Sequence, residues 1–506
     1  MLVMRVPRTA RIHDAGLALA LSMASLFYWF YLRDLFPLTE WRDWVTWQDR
    51  IDWNEILRKL FVPEGFPSRH VSLTYSMYLG GMCRDDVRCL NALGLFPLFL
   101  TVPLLYVLAR QLGLASRFAI AACLLWLLSV PVVNAAAWQA TIHDKLALLL
   151  ALSALSWTLY ALTRPLKLRW VLYTNGLLLV LVALAYNCKE SAWFLAPGLC
   201  ATVILCGRGD WRKRLKDSLL LVLPLAYAFY HNVAYLRALG RADPDVYWRA
   251  HVWSSPVFEH IGQLLDHSLG IGRHVGVFLG SFAVVVAFVG TCWWRAEEHS
   301  WARRYGSALL SATLFVGALT LVSGTRFPAP YYMYTPHAFA SILVLQLLQL
   351  AQDTLWAPER ATTIGLVALA CVLWGGMRHF VVEGLLPTNE LIIRSDNFRR
   401  SLPSILAHVS LPLRENPVVV LDHTNVHGER FVRGTANGLW RHISPRPSGL
   451  AMESQMILLR DDAPLAFAPL TEHVHRLRFD SSMTLLTIER GSEFLYQRYS
   501  NPGRAQ

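Results

Sequence analysis

The order of apolar and polar stretches limits what this chain can fold into more than any other feature. About eleven apolar stretches of roughly 20 residues come first, and about 130 residues of ordinary soluble sequence follow them. A stretch of this length crosses the hydrocarbon core of a bilayer as a helix. Only 16% of the 506 residues are charged, as lipid-facing surface requires, because a charge at the centre of a spanning helix costs about 3 kcal/mol. We therefore predict a polytopic α-helical membrane protein with about 11 transmembrane helices. The predicted spans centre on 15–32, 91–109, 117–133, 146–162, 170–187, 191–207, 218–236, 274–293, 305–323, 335–351 and 361–377.

Basic residues cluster in the connections on one side of these spans. In chain order the clusters are Arg5 to Arg11, Arg110 with Arg117, Arg164 to Arg169, Arg208 to Lys216, and Arg295 with Arg303 and Arg304. The positive-inside rule places this side and the N-terminus in the cytoplasm, and an odd number of spans places the C-terminal region outside. The net charge of +12 therefore reflects topology and not nucleic-acid binding. Six of the 47 basic residues are lysine and the rest are arginine, a bias that favours a GC-rich bacterium and hence an inner membrane facing a periplasm.

The chain divides into two predicted domains. Residues 1–378 form the transmembrane domain, with long external loops at 33–89 and 237–273, and residues 379–506 form a small α/β or α+β soluble domain in the periplasm. Apolar runs at 417–421 and 483–488 predict buried strands of that domain. Residues 51–61 predict an amphipathic helix in the first loop that either lies on the membrane surface or roofs a cavity. Cys83 and Cys89 lie close together in the same loop, and whether they form a disulfide is left open.

The polar residues near the membrane surface fall on the external side of the spans. They occupy four connections and comprise Asp43, then Trp138, His143 and Asp144, then Lys189 and Glu190, then Arg326 with Tyr331, Tyr332 and Tyr334. Cations in such positions can hold a phosphate group, and carboxylates can act as general bases or metal ligands. Taken singly, each of these residues also fits an ordinary interfacial anchor or the aromatic belt.

At these residues the chain resembles the GT-C superfamily of membrane glycosyltransferases, in particular transmembrane O-mannosyltransferases and related enzymes that use polyprenyl-phosphate sugars. The resemblance covers roughly residues 15–350. It is carried by Arg42-Asp43-Trp44, by Trp138 followed by Asp144-Lys145-Leu146-Ala147, by Cys188-Lys189-Glu190-Ser191-Ala192, and by Tyr332-Met333-Tyr334-Thr335-Pro336. The chain departs from the family pattern at three places: Arg42 replaces a first carboxylate, Arg69-His70-Val71 replaces Arg-Pro-Leu, and Tyr331 replaces an arginine.

The resemblance implies an inverting glycosyltransferase that moves one sugar from a polyprenyl-phosphate-linked donor to an acceptor hydroxyl at the periplasmic face. It implies Asp43 as the general base, and Lys189, Arg326, Tyr332 and Tyr334 as ligands of the donor phosphate. Glu190 is expected to orient Lys189, and the remaining pocket residues are Arg42, Arg69, His70, Trp138, His143 and Asp144. A divalent cation, Mg²⁺ or Mn²⁺, is left open as a cofactor, with Asp43 as its candidate ligand.

Two other functions fit the sequence less well. A lipid-linked oligosaccharide transferase or ligase would use the same face but would need a wider pocket. A transporter or flippase of a lipid-linked or anionic substrate would place ionisable residues near the bilayer midplane, and no internal repeat is evident here. The expected partners are the polyprenyl-phosphate-sugar donor, the lipid bilayer and an acceptor protein, lipid or glycan, with no nucleic acid. The sugar, the acceptor, the oligomeric state and the role of the C-terminal domain are left open.

Overall fold

The computed structural model describes most of the predicted membrane domain and four strands beyond it. The described residues are 8–34, 53–61, 69–83, 86–207, 211–239, 261, 263, 275–295, 299–323, 330–354, 418–422, 456–459, 474–479 and 485–490. The predicted span at 361–377, most of the loop at 237–273 and the boundary between the two domains lie outside these residues. The division into domains therefore remains a prediction.

Helices occupy the described membrane domain almost throughout. They are α1 (Arg8–Ser25), α2 (Phe27–Leu32), α3 (Trp53–Phe61), α4 (His70–Cys83), α5 (Val87–Gln111), α6 (Ser116–Leu127), α7 (Val130–Ala137), α8 (Ile142–Ala161), α9 (Leu168–Tyr186), α10 (Leu195–Cys206), α11 (Trp211–Asp217), α12 (Val222–Leu239), α13 (Val275–Arg295), α14 (His299–Ser323) and α15 (Tyr334–Thr354). Short 3₁₀ helices cover Gln139–Thr141, Glu190–Phe194, Ser218–Leu221 and Pro330–Met333.

Helices cover most of each predicted span from 15–32 to 335–351 among the residues that the structure describes. Within the described part of the chain, six helices are long and apolar enough to cross a membrane, or up to seven if the bent pair α6 and α7 is one span. Shorter apolar helices cover Glu190–Cys206 and Phe282–Trp294. The protein is thus a multi-pass helical membrane protein, and the count of about 11 spans remains a prediction.

The third predicted span is broken near its external end. Ser129 adopts an extended backbone between α6 and α7, and Pro131 stands in the first turn of α7. Proline is favoured there because the first turn of a helix needs no backbone N–H at that position. The two helices meet at 54°. Trp138 follows the second of them and lies at the end of the bundle that carries the candidate site.

Helices α10 and α14 approach each other closely at a glycine. A Cβ atom added to Gly306 would lie 2.4 Å from the backbone carbonyl oxygen of Leu205. Small residues at such crossings let helix backbones pack tightly, and tight packing is a main source of helix association in lipid. Only glycine therefore fits this position without a shift of the backbone.

The end of the bundle that contains the predicted cytoplasmic connections is held by ion pairs and hydrogen bonds. Arg110 at the end of α5 pairs with Asp14 in α1 at 3.2 Å, and Tyr106 donates a hydrogen bond to the same carboxylate at 2.7 Å. Arg304 in α14 pairs with Asp353 in α15. The arginine clusters thus share one end of the described helices, opposite the candidate site.

A disulfide joins Cys83 at the end of α4 to Cys89 in the first turns of α5. The turn between them is reinforced by Asp86, whose carboxylate caps α5 by accepting hydrogen bonds from the backbone N–H groups of Arg88 and Cys89. The bond answers the question that the sequence left open. Disulfides persist in oxidising compartments, so the bond is consistent with an external position for this end of the bundle.

Replacing both Cys83 and Cys89 with serine is expected to lower the free energy of unfolding by about 2 kcal/mol, because the crosslink restricts a short loop in the unfolded chain. Thermal unfolding of the purified protein in lipid nanodiscs measures the effect. Cys292→Ser, at a cysteine outside any disulfide in the described residues, is the matched control. Equal midpoints for the double variant and the control would mean that the bond does not stabilise the protein.

Four strands beyond residue 417 form one mixed sheet. They are β1 (Val418–Asp422), β2 (Met456–Leu459), β3 (Val474–Phe479) and β4 (Leu485–Arg490), and their order in the sheet is β2-β1-β3-β4. Strand β1 is parallel to both of its neighbours, whereas β3 and β4 are antiparallel. Both predicted strands are therefore present: β1 begins and ends one residue after the predicted 417–421, and β4 begins and ends two residues after the predicted 483–488.

Candidate functional site

The candidate site lies where four separate connections meet at the end of the bundle opposite the arginine clusters. It is built from the first turn of α8, the segment between α9 and the 3₁₀ helix Glu190–Phe194, the start of α4, and the 3₁₀ helix Pro330–Met333. Each of these segments is an irregular backbone or a helix start, which lets polar side chains lie at the end of apolar helices.

A buried ion pair joins two of these connections. The Nζ atom of Lys189 lies 2.6 Å from Oδ2 of Asp144, and both side chains are buried. Asp144 stands in the first turn of α8, where the helix dipole favours a carboxylate. A second negative partner for Lys189 would therefore have to share the ammonium group with Asp144.

A second ion pair lies beside the first. The guanidinium group of Arg69 donates to Oε2 of Glu190 at 3.2 Å, and Glu190 is buried while Arg69 is partly exposed. Burial alone would lower the pKa of Arg69, but the Glu190 carboxylate and its hydrogen bond outweigh burial and raise the pKa. Arg69 is therefore a permanent cation at the site.

The pairing differs from the expectation that Glu190 would orient Lys189. Lys189 has an extended backbone with φ of −162°, and Glu190 begins the 3₁₀ helix that follows. Successive side chains on extended backbone point to opposite sides, so Lys189 reaches Asp144 while Glu190 reaches Arg69. The expectation about Glu190 was wrong in its partner, because neighbours in sequence became members of two different pairs.

Aromatic rings cover the ammonium group of Lys189. Its Nζ atom lies 4.9 Å from the ring centroid of Tyr332 and 5.9 Å from that of Tyr331. Tyr331 in turn packs edge-on against Trp138, with ring centroids 4.5 Å apart. Aromatic faces attract cations within about 6 Å, so these rings help hold Lys189 in place and form an amphipathic wall beside it.

A hydrogen-bonded serine connects the remaining members of the site. Oγ of Ser72 lies within hydrogen-bond distance of Nδ1 of His143 and donates to the carbonyl oxygen of Cys188 at 3.1 Å. A hydroxyl has one proton, and a carbonyl can only accept. When Ser72 gives its proton to Cys188, His143 must donate from Nδ1, and in a neutral imidazole its Nε2 atom is then an acceptor. Ser72 is not among the predicted site residues, because a serine in an apolar helix carries no distinct signal.

Two further polar residues tie the site to the first external loop. The Asn187 side chain donates to the hydroxyl of Tyr227 at 3.0 Å, and Tyr227 donates to the carbonyl oxygen of Leu60 in α3 at 2.6 Å. The backbone carbonyl of Asn187 also accepts from the N–H of Val71 at 3.1 Å. The amphipathic helix predicted at 51–61 is thus attached to the segment that carries Lys189.

Tyr227→Phe is expected to lower the free energy of unfolding by about 1–3 kcal/mol, because it removes a buried donor to Leu60 and an acceptor for Asn187. Chemical unfolding of the protein in mild detergent measures the loss. Tyr230→Phe changes an exposed tyrosine of the same helix, whose side chain is 47% exposed, and serves as the control. Indistinguishable unfolding curves for the two variants would mean that this relay does not hold α3.

The structure brings together most of the predicted site residues. Seven of them contact one another directly or through Ser72 and Tyr331, namely Arg69, Trp138, His143, Asp144, Lys189, Glu190 and Tyr332. His70 begins α4 next to Arg69. Tyr334 instead lies in the core, fully buried, with its ring 5.1 Å from that of Trp126. Its role at the donor phosphate stays a prediction.

The other predicted site residues lie outside the described part of the chain. These are Arg42, Asp43 and Arg326, and their roles remain predictions. Among the described residues, no group of three or more His, Cys, Asp or Glu side chains is arranged to hold a metal ion. Asp43 is not among these residues, and donor binding with and without a divalent cation tests whether the site uses one.

No protein-family model matches the chain, and no curated protein matches it. Among solved structures, ArnT from Cupriavidus metallidurans bound to undecaprenyl phosphate is similar, with a TM-score of 0.42 and 14% sequence identity over 88% of this chain and 90% of that chain. A likeness at this level assigns no activity to the chain.

Proposed function

We propose that this protein is a membrane glycosyltransferase of the GT-C type that moves a sugar from a polyprenyl-phosphate donor to an acceptor hydroxyl. One observation supports the proposal above all. Residues from three separate motifs lie side by side at one end of the bundle, namely Trp138 and Asp144, Lys189, and Tyr332. Structural anchors of separate spans have no reason to meet in this way, whereas parts of one site do.

The proposed roles follow from the chemistry of a phosphate leaving group. Asp43 takes the proton of the acceptor hydroxyl, the acceptor oxygen bonds to the anomeric carbon, and the bond from that carbon to the phosphate oxygen breaks with its electron pair. The leaving polyprenyl phosphate needs little protonation, so cations can stabilise it in place of a general acid. Lys189 supplies one such cation, and Tyr332 contacts the phosphate or the sugar.

The external face is proposed for the same site. The arginine-rich connections lie at the opposite end of the described helices, and the positive-inside rule assigns that end to the cytoplasm. The disulfide between Cys83 and Cys89 lies at the end that carries the site and favours an oxidising compartment. In a bacterium with two membranes, the donor would then be used at the periplasmic side of the inner membrane.

Binding a donor phosphate requires more positive charge than the described cluster offers. Arg69 and Lys189 are each paired with a carboxylate, so the formal charges of these four side chains cancel. One net positive charge from Arg326, from Arg42 or from a divalent cation at Asp43 would match the single negative charge of the donor phosphodiester. Donor binding measured with and without Mg²⁺ or Mn²⁺ decides between an arginine and a metal ion.

The experiment that tests the proposal is turnover of the purified protein with a panel of polyprenyl-phosphate sugars in nanodiscs. We expect slow release of sugar to water from one donor even without the acceptor, because water can replace an acceptor hydroxyl. The panel includes hexose and pentose donors, each with and without divalent cation and chelator. Mass spectrometry of the lipid product identifies the bond that breaks.

The alternatives give different results in the same assay. A lipid-linked oligosaccharide transferase would bind none of the single-sugar donors but would release glycan from an oligosaccharide donor. A transporter or flippase would move a labelled lipid across the vesicle membrane and leave the sugar-phosphate bond intact. Either outcome, with protein that is folded by size-exclusion chromatography, would overturn the proposed function.

A further inference from the structure

The carboxylate of Asp144 has a chemical consequence beyond its ion pair. It lies 2.6 Å from Nζ of Lys189, and both side chains are nine-tenths or more buried. An ammonium group has three donors, so Lys189 can hold a phosphate oxygen and keep Asp144 at the same time. A phosphate bound in this way lies beside a buried negative charge. The inference drawn from this rests on the proposed function.

The donor and the product of the proposed reaction differ in charge. The donor is a phosphodiester with one negative charge, whereas the released polyprenyl phosphate is a monoester with a charge of about −1.5 to −2 at neutral pH. A site with two unpaired cations would therefore bind the product more tightly than the donor. The product would then inhibit the enzyme. In the described part of the site, Lys189 and Arg69 are instead paired with carboxylates, Lys189 with Asp144 and Arg69 with Glu190.

We propose that Asp144 makes the site reject the doubly charged phosphate product, so that the spent lipid leaves after each transfer. The like charge of Asp144 opposes the second negative charge of a monoester more than the single charge of a diester. Asp144 is then a positioning residue for Lys189 and also sets the preference of the site for a diester. A purely structural ion pair would not affect that preference.

The wild-type protein offers a direct test with two probes. Farnesyl phosphate carries the monoester of the product, and its methyl ester carries the diester of the donor without a sugar. We expect the protein in nanodiscs to bind the monoester no more tightly than the diester at pH 7.5, as measured by quenching of its tryptophan fluorescence. Binding of the monoester about 10-fold more tightly than the diester would overturn the proposal.

The variant Asp144→Asn tests the cause. Its amide oxygen still accepts a hydrogen bond from Lys189 while its charge is lost, so thermal unfolding should confirm a folded protein. We expect affinity for the monoester to rise about 10-fold or more and affinity for the diester to rise about 3-fold or less. Asp353→Asn, which removes a carboxylate from the pair with Arg304 at the opposite end, should change neither affinity.

Each result has one meaning. Unchanged or weaker monoester binding in Asp144→Asn, with wild-type binding intact, would overturn the role of Asp144 and leave the proposed function standing. If Asp144→Asn does not fold, the comparison of the two probes on the wild-type protein decides alone. If the wild-type protein binds neither probe and turns over no polyprenyl-phosphate sugar, the inference and the proposed function fail together.

Discussion

Asp43→Asn is expected to reduce sugar transfer by about 10²–10⁴-fold while donor binding remains within a few-fold of the wild type. An amide cannot take a proton from the acceptor hydroxyl, but it nearly preserves the size and the hydrogen bonding of the carboxylate. The measurement is turnover of the preferred donor, together with its dissociation constant from tryptophan fluorescence. Loss of turnover without loss of binding separates a general base from a residue that holds the donor.

The matched control for Asp43 is Asp34→Asn, in the same connection after the first predicted span. Arg88 donates a hydrogen bond from Nε to Oδ1 of Asp34 at 2.7 Å. This hydrogen bond and the positive charge of Arg88 lower the pKa of Asp34. A carboxylate with a lowered pKa is a weak base, so this variant should retain nearly all turnover. Near-normal transfer by Asp43→Asn would remove Asp43 from the mechanism, and loss of donor binding would make it the ligand of a metal ion that holds the donor.

Lys189→Ala is expected to abolish detectable donor binding, a loss of about 100-fold or more, because the phosphate loses a buried cation. The same variant leaves Asp144 as an uncompensated buried charge, which should lower the free energy of unfolding by about 3–5 kcal/mol. Donor binding and thermal unfolding are therefore measured side by side. Weak binding alone would not distinguish a lost ligand from a damaged fold.

A double variant separates these two effects. Lys189→Gln combined with Asp144→Asn removes both charges of the pair and keeps an amide-to-amide hydrogen bond. We expect it to recover most of the lost stability and none of the donor binding. Arg304→Gln, in an exposed pair at the other end of the bundle, should cost less than about 1 kcal/mol and leave binding unchanged. Donor binding at the wild-type level by the double variant would make the Lys189–Asp144 pair purely structural.

The positions of the helices follow from the sequence to a large extent. Apolar stretches of sufficient length must satisfy their backbone hydrogen bonds internally, and a helix is the simplest way to do so in lipid. Hence helices cover most of each described span from 15–32 to 335–351. The bend between α6 and α7 was less evident, because Pro131 is compatible with either a straight or a broken span until its neighbours are known.

The members of the candidate site followed from the sequence in part. Short motifs around Trp138, Asp144, Lys189 and Tyr332 predicted segments that meet in the structure. Each residue type alone is ordinary at the end of a membrane span, so the prediction depended on the motifs. Ser72 and Tyr227 carried no comparable signal. Their importance comes from carbonyl oxygens and side chains that reach them from other helices.

By itself, the sequence determined where the apolar helices of the described residues lie and which connections between them are rich in arginine. Those properties depend on local composition, which each span carries within about 20 residues. Only the tertiary structure decided that Lys189 pairs with Asp144 and that Glu190 pairs with Arg69. Partners in an ion pair are set by distance in space across different helices, and an extended backbone at Lys189 sends its neighbour Glu190 to the opposite side.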